Sequence, residues 1–317
     1  MLVFYAIVLK GIRVSNLRYN LDPIGVFYFF LNYPIIEHTF HKNKVSIGGI
    51  ELNSPIKWMG GKYRLRKAIV KMIPKHICYC EPFGGAGWVL FEKNPSEVEV
   101  YNDINKELVN FFKIVRNNPG EFIKRTNCLL ISRDLFQSFR ETNPLIMSEV
   151  DRAVRFYYLL HFSFGAKMKN FIITPLKKPP RVLERVKEEA NLVRNRLINT
   201  VIENRDYGEL IKSYDRCSTF FYCDPPYYDL TDYRSQGSRP FGNEDHIRLR
   251  DCLSEIQGKF LLSINDHPET RKLYARFKIE EVKVKYSICK SDKGSIYKEL
   301  LISNYETPIE SGMDNVA

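Results

Sequence analysis

Three short stretches of the chain carry residue types suited to chemistry. In Phe221-Tyr222-Cys223-Asp224-Pro225-Pro226-Tyr227 a β-like run stops at two prolines. Neither proline can donate to a strand ladder, so the strand must end there. Asp224 then stands at its carboxyl end, which is where ligands lie in an open α/β sheet. A capped strand followed by a rigid turn would use the same residues without chemistry. The second stretch, Cys80-Glu81-Pro82-Phe83-Gly84-Gly85-Ala86-Gly87-Trp88, joins an apolar strand to a helix. Its glycines allow a tight turn and close approach of a ligand to the backbone. Leu90 replaces the third glycine of a dinucleotide fingerprint, which disfavours NAD or FAD. An acidic residue follows about 20 positions on, Asp103, where a carboxylate can accept both ribose hydroxyls of an adenosyl group or simply cap a helix. The third stretch, Pro55-Ile56-Lys57-Trp58-Met59-Gly60-Gly61-Lys62, suggests a phosphate loop. Tyr63 stands where that loop needs Ser or Thr, and Ile56 where it needs its first glycine, so an NTPase is disfavoured.

Elements able to position these residues follow from the hydrophobic pattern. Short apolar runs bounded by turn residues predict strands at 77–80, 98–101, 200–203, 219–223, 259–264, 280–287 and 298–303. Helical patterns at 105–116, 244–256 and 268–277 alternate with them, which argues for an α/β sheet with helices on both faces. No helical pattern separates the last two runs, so the sheet is expected to end in an antiparallel pair. Between Phe111 and Leu197 strand signals are weak and helical periodicity is good at 149–162 and 182–197. A helical insertion is expected there.

Across its 317 residues the chain has 48 Lys and Arg against 37 Asp and Glu, a net charge of +11. That excess favours a polyanionic partner. Part of it is concentrated between Gly165 and Arg196, where Lys167, Lys169, Lys177, Lys178, Arg181, Arg185, Lys187, Arg194 and Arg196 face only Glu184, Glu188 and Glu189. This is either a solvated helix face or a surface for phosphates. Seven dispersed cysteines without a C-x-x-C pair read as free thiols in a reducing compartment, and no clustered Cys/His set suggests a metal. Apolar runs at 1–9 and 24–36 are too short to span a membrane and lack the marks of a secretory signal. A cytoplasmic protein is expected.

Taken in order, K-W-x-G-G-K, E-P-F-x-G-x-G, N-D-I-N and D-P-P-Y resemble the Dam-type class of DNA adenine-N6 methyltransferases. Lesser motifs agree: Asn204-Arg205-Asp206-Tyr207, Ser263-Ile264-Asn265-Asp266, and Glu299 to Asn304. The resemblance runs from about Ser54 to Tyr305. It implies a class I methyltransferase (Rossmann-like) mixed sheet with an inserted helical target-recognition lobe, S-adenosylmethionine as cofactor, and double-stranded DNA as partner. It further implies that Trp58, Lys62, Glu81, Phe83, Gly85, Gly87 and Asp103 line the cofactor, and that Asp206 and Tyr207 meet its adenine end. Asp224, also beside the cofactor, would form the catalytic corner with Pro225, Pro226 and Tyr227.

The corner has a physical rationale. An adenine amino nitrogen is a poor nucleophile because its lone pair is delocalised into the ring. If the Asp224 carboxylate and the Pro225 carbonyl both accept its N–H bonds, the lone pair can aim at a sulfonium methyl. Tyr227 would offer a π-face to the extruded base. Alignment is then mostly a proximity effect, and no metal is required.

The chain departs from the family at 163–171, where a shorter segment replaces the usual recognition turn. No recognition sequence such as GATC carries over, although Lys167, Lys169 and Asn170 are candidate DNA contacts. Domains are expected at 54–112 with 198–305 (catalytic) and 113–197 (DNA recognition), followed by a tail at 306–317. Residues 1–53 have no family counterpart and are either an extra element or the result of an early start codon. A restriction endonuclease is the further partner implied. Competing readings are methylation of cytosine N4, of RNA adenine or of protein glutamine, and a catalytically silent DNA-binding module.

Overall fold

The computed structural model describes residues 46–47, 50–58, 60–172, 181–229, 241–285 and 296–307. All of them belong to one unit, Lys44–Ala317. Most of the N-terminal extension, Met59, Lys177 and Lys178 of the basic stretch, the turn containing Cys289, and residues 308–317 lie outside the described residues.

A small hairpin, β1 (Ser46–Ile47) and β2 (Ile50–Glu51), precedes the main sheet. That sheet holds β3 (Cys78–Glu81), β4 (Val98–Asn102), β5 (Thr200–Glu203), β6 (Thr219–Cys223), β7 (Lys259–Asn265), β8 (Lys278–Lys285) and β9 (Ile296–Ser303). Their spatial order is β5-β4-β3-β6-β7-β9-β8. The first five pair in parallel, whereas β9 runs antiparallel between β7 and β8. This is the mixed α/β sheet, closed by an antiparallel pair, that the sequence pattern predicts. Every residue of β6 is buried, as expected for a continuous apolar run inside a parallel sheet.

One face of the sheet packs against α1 (Arg66–Met72), α2 (Trp88–Glu92), α3 (Lys106–Asn117), α4 (Pro119–Asn127), α6 (Glu149–His161) and α7 (Val182–Leu197). Tyr79, Phe220, Tyr222 and Leu261 of the strands join Ile69, Phe111, Phe122, Tyr157 and Val193 of these helices in one apolar cluster. Cys80, Phe221, Leu262 and Leu300 point the other way, onto α8 (Tyr207–Tyr214), α9 (Asn243–Glu255) and α10 (Pro268–Leu273). The alternation of strand residues between the two clusters is the two-residue period of a sheet covered on both sides. A third cluster seats α5 (Arg133–Glu141) on α6 through Phe136 and Tyr158. The helical segment between β4 and β5 thus shares the apolar core of the sheet.

Helix starts match the sequence chemistry. The Asn105 side chain accepts the N–H groups of Glu107 and Leu108 to start α3, and Ser148 caps α6. One expectation fails: Arg196 does not belong to the basic surface. Its side chain is 5% exposed, donates to Glu99 Oε1 (2.8 Å) and Leu90 O (2.8 Å), and forms an ion pair with Glu99. Its position four after Leu192 and three after Val193 puts it on the buried face of α7.

Candidate active site

From β3 the chain passes to β4 and β5 on one side, and from β6 to β7 on the other. The carboxyl ends of β3 and β6 therefore flank the crevice where such sheets bind ligands. The glycine turn after β3 is held open by its neighbours. Gly84 N–H donates to Asn102 O (2.7 Å), and a Cβ at Gly84 would collide with the Tyr101 ring. Gly85 takes φ +50°, a left-handed conformation that L side chains rarely adopt. Its N–H donates to Asp103 Oδ2 (2.9 Å) and its carbonyl accepts from Tyr101 OH (2.6 Å). Asp103 Oδ1 accepts from Asn105 N–H (2.8 Å), so this carboxylate braces the turn as well as facing the cavity. Burial raises its pKa, and the backbone donors oppose the rise.

A cavity opens at this point, with about 1150 Å³ of empty space including its open mouth. Trp58, Lys62, Glu81, Phe83 and Gly85 line one part of it. Asp103, Asp206 and Tyr207 line another, and Asp224, Pro225 and Pro226 complete the wall. The glycine turn, the strand-end carboxylate and the proline corner thus meet in a single cavity. Of the residues expected here, Gly87 and Tyr227 stand beside the wall without lining it. Trp88, Arg205 and Phe241 are further wall residues that the sequence did not single out.

The acidic groups of the cavity differ in environment. Glu81 is 1% exposed and accepts from Tyr79 OH (2.5 Å); burial pushes it up to about 8. Burial also raises Asp224, to about 6, while the neighbouring Lys62 holds the rise back. The Lys62 ammonium thus favours the ionised form of Asp224. Lys62 is 2% exposed, and its ammonium lies 2.5 Å from Asp224 Oδ1, 3.1 Å from Glu299 Oε1 and 3.2 Å from Tyr227 OH. Burial would lower its pKa, but the two carboxylates outweigh it and hold the lysine well above its ordinary value. Ser263 Oγ, bonded to Tyr222 OH (2.9 Å), donates to the same Asp224 Oδ1 (3.3 Å). Both protein donors converge on Oδ1. Oδ2 has no hydrogen-bond partner among the described residues.

Beyond the prolines, Asn265 grips the chain: its Oδ1 accepts from Tyr228 N–H (2.9 Å), and its Nδ2 donates to Tyr228 O (3.1 Å). Tyr227 OH donates to Glu299 Oε1 (2.8 Å), and the Lys62 ammonium lies 4.7 Å from the Tyr227 ring centroid. On the far wall, Asp206 caps α8 through Gly208 N–H (2.9 Å) and forms a two-pronged ion pair with Arg248, one prong at 3.0 Å. Hydrogen bonding to Arg248 holds the Asp206 carboxyl below the usual range. Arg248 also lies over the Tyr207 ring, 4.7 Å from its centroid.

Lys167, Lys169 and Asn170 do not line the cavity; they lie in a tight turn closed by a Ser163–Phe171 bridge. Lys169 and Asn170 are exposed, and Arg140 donates to Lys169 O (2.8 Å). Among the described residues no group of three His, Cys, Asp or Glu side chains is placed to hold a metal, and no helix is long and apolar enough to cross a membrane.

Ser263, Asn265, Glu299 and Arg248 were not identified as site residues from the sequence. The first three lie in motifs that were visible, but their roles depend on strand register: Asn265 pairs with Glu299 across β7 and β9, and side chains so paired share one face of the sheet.

Comparisons with known proteins identify related chains. A family model described as D12 class N6 adenine-specific DNA methyltransferase matches residues 58–288. The type II methyltransferase M1.LlaDCHI of Lactococcus lactis subsp. cremoris is 31% identical over 286 residues, covering 83% of this chain and 98% of that protein. The type II methyltransferase M.MjaIII of Methanocaldococcus jannaschii is 30% identical, with 81% and 100% covered. The DNA adenine methylase of Escherichia coli (strain K12) is 29% identical, with 81% and 96% covered.

Proposed function

The chain belongs to the D12 class of N6 adenine-specific DNA methyltransferases, and on that premise we propose that Asp224 and Pro225 hold the amino group of an extruded adenine against a methyl donor seated in the cavity. The supporting observation is the orientation of Asp224. Lys62 and Ser263 both bind Oδ1, which leaves Oδ2 to accept an N–H of the target amino group. The Pro225 carbonyl is the second acceptor, on a backbone that the proline ring fixes. Two acceptors drawing on the two N–H bonds localise the nitrogen lone pair and aim it into the cavity. The base must leave the stack to reach this corner, as for other enzymes that act on a base.

The residues present suit S-adenosylmethionine. When bound, it supplies an electrophilic sulfonium methyl. Gly84 and Gly85 provide a cradle that a Cβ would fill or strain, Asp103 faces the cavity as an acceptor for ribose hydroxyls, and Phe83 and Tyr207 offer aromatic surface, their ring centroids 5.1 Å apart. A carboxylate has about four acceptor sites. Arg248 and the start of α8 occupy most of those on Asp206, leaving one on Oδ2 for the donor's amino group.

Residues 54–112 and 198–305 are proposed as the catalytic domain and 113–197 as the DNA-recognition part, with Lys167, Lys169 and Asn170 contacting double-stranded DNA. The free thiols among the described residues support a reducing, cytoplasmic setting. The relatives named as type II methyltransferases support a restriction endonuclease as partner.

The test is incubation with methyl-labelled S-adenosylmethionine and matched DNA and RNA, followed by nucleoside analysis. The proposal expects N6-methyladenine in double-stranded DNA. Label in N4-methylcytosine, in RNA alone, or in neither nucleic acid would contradict it.

A further inference from the structure

Glu299 lies outside the residues matched by the family model, 58–288, yet its carboxylate reaches the catalytic corner. It is 3% exposed, on β9 opposite Asn265. Oε1 accepts from the Lys62 ammonium (3.1 Å) and from Tyr227 OH (2.8 Å). A buried carboxylate is costly unless it is paired and hydrogen-bonded. Lys62 already has a carboxylate partner in Asp224 at 2.5 Å. The corner therefore buries two carboxylates around one ammonium, one negative charge more than a simple ion pair would need.

We propose that Glu299 is a positioning residue for methyl transfer, acting through Lys62 and Tyr227 to keep the outer oxygen of Asp224 turned toward the substrate. The inference rests on the reading of Asp224 given above. An ammonium shared between two carboxylates is held at a fixed point between them and touches Asp224 through Oδ1 alone. Without the Glu299 charge, Asp224 is its sole anionic partner. The ammonium then moves toward that carboxylate and competes for Oδ2, the oxygen the amino group must use. Glu299 also fixes the Tyr227 hydroxyl, and with it the residue after the two prolines. Asn265, its neighbour across the strands, holds the next residue, Tyr228. The adjacent strands β7 and β9 thus hold the far end of the corner.

The test is Glu299→Gln in the full chain, which keeps the shape and an acceptor for Tyr227 but removes the charge. Single-turnover kcat is expected to fall on the order of tenfold to a hundredfold, as for a displaced reacting group, with KM for S-adenosylmethionine and DNA little changed. The acid limb of the kcat profile should also move to lower pH. The groups facing Asp224 are Lys62 ahead of α1, Tyr222 on β6, Glu81 on β3 and Glu299, and the negative charge of Glu299 is one of the influences that raise it. Glu299→Asp keeps the charge, so its acid limb should stay in place even where its rate falls; this second variant keeps the test open if Glu299→Gln does not fold. A normal rate in Glu299→Gln would overturn the inference. So would equal losses in both variants with neither acid limb moved, the pattern of a purely structural role. Asp224→Asn runs in parallel: its activity would sink the reading of the corner, whereas an inactive Asp224→Asn beside a fully active Glu299→Gln would sink the role of Glu299 alone.

Discussion

Asn102 and Arg205, 103 residues apart, close a pair of hydrogen bonds: Arg205 N–H donates to Asn102 Oδ1 (2.8 Å), and Asn102 Nδ2 donates to Arg205 O (3.1 Å). The same Nδ2 reaches Pro82 O (2.9 Å). One side chain, fully buried at the end of β4, thereby joins the turn after β3 to the loop after β5. Replacing Asn102 with Leu strands two carbonyls and an N–H in the interior, each costing about 1–3 kcal/mol if left unmade. Asn102→Leu is expected to lower unfolding free energy by about 3 kcal/mol and to weaken S-adenosylmethionine binding more than DNA binding. Denaturant melts and calorimetric titration check this; unchanged donor affinity would show that the two loops are not coupled through Asn102.

Glu81 gives stability a pH signature. Its pKa, about 8 against an ordinary 4.5, is raised in the folded state by burial. A proton therefore binds the folded chain more tightly than the unfolded one, and the associated stability, complete below about pH 4.5, is lost as pH rises through about 8. Glu81→Gln should flatten the pH dependence of the melting temperature across that window and leave the variant more stable than the parent at pH 9. Parallel curves for the two proteins would contradict this assignment.

The basic turn makes a quantitative claim about DNA. Lys169 is exposed, and no described ion pair engages it. If it contacts a phosphate, Lys169→Ala should weaken binding similarly across DNA sequences and reduce the slope of log affinity against log salt by about 1. Binding measured between low and moderate salt decides the point. An unchanged slope would place the DNA on another surface.

Much of this arrangement could be read from the sequence. The strands at 200–203 and 219–223 coincide with those observed because apolar runs stop at sharp punctuation, such as the prolines after Asp224. The carboxyl ends of neighbouring parallel strands then bring the Gly85, Asp103, Asp206 and Asp224 segments together. The helices α4 and α5 were not expected individually, since each is short and buries a single large aromatic, Phe122 or Phe136.

What could not be read depends on spatial neighbours. Glu299 reaches Lys62 because β9 inserts between β7 and β8, a register that no local pattern encodes. Arg248 reaches Asp206 from a different helix, so a carboxylate expected to face the donor proves to be paired with a guanidinium. Arg196 counted as surface charge in a sum over the segment, whereas its helix phase points it at Glu99.

The central claim concerns Asp224, and Asp224→Asn tests it most directly, because the amide keeps nearly the same shape but loses its charge and one of its two acceptor oxygens. The decisive measurement is the single-turnover rate of N6-methyladenine formation in double-stranded DNA, with S-adenosylmethionine and DNA binding measured in parallel. The proposed geometry predicts a loss of at least about a hundredfold in rate with folding and most of both affinities retained. Methylation at close to the parent rate would show that the Asp224 carboxylate does not activate the amino group.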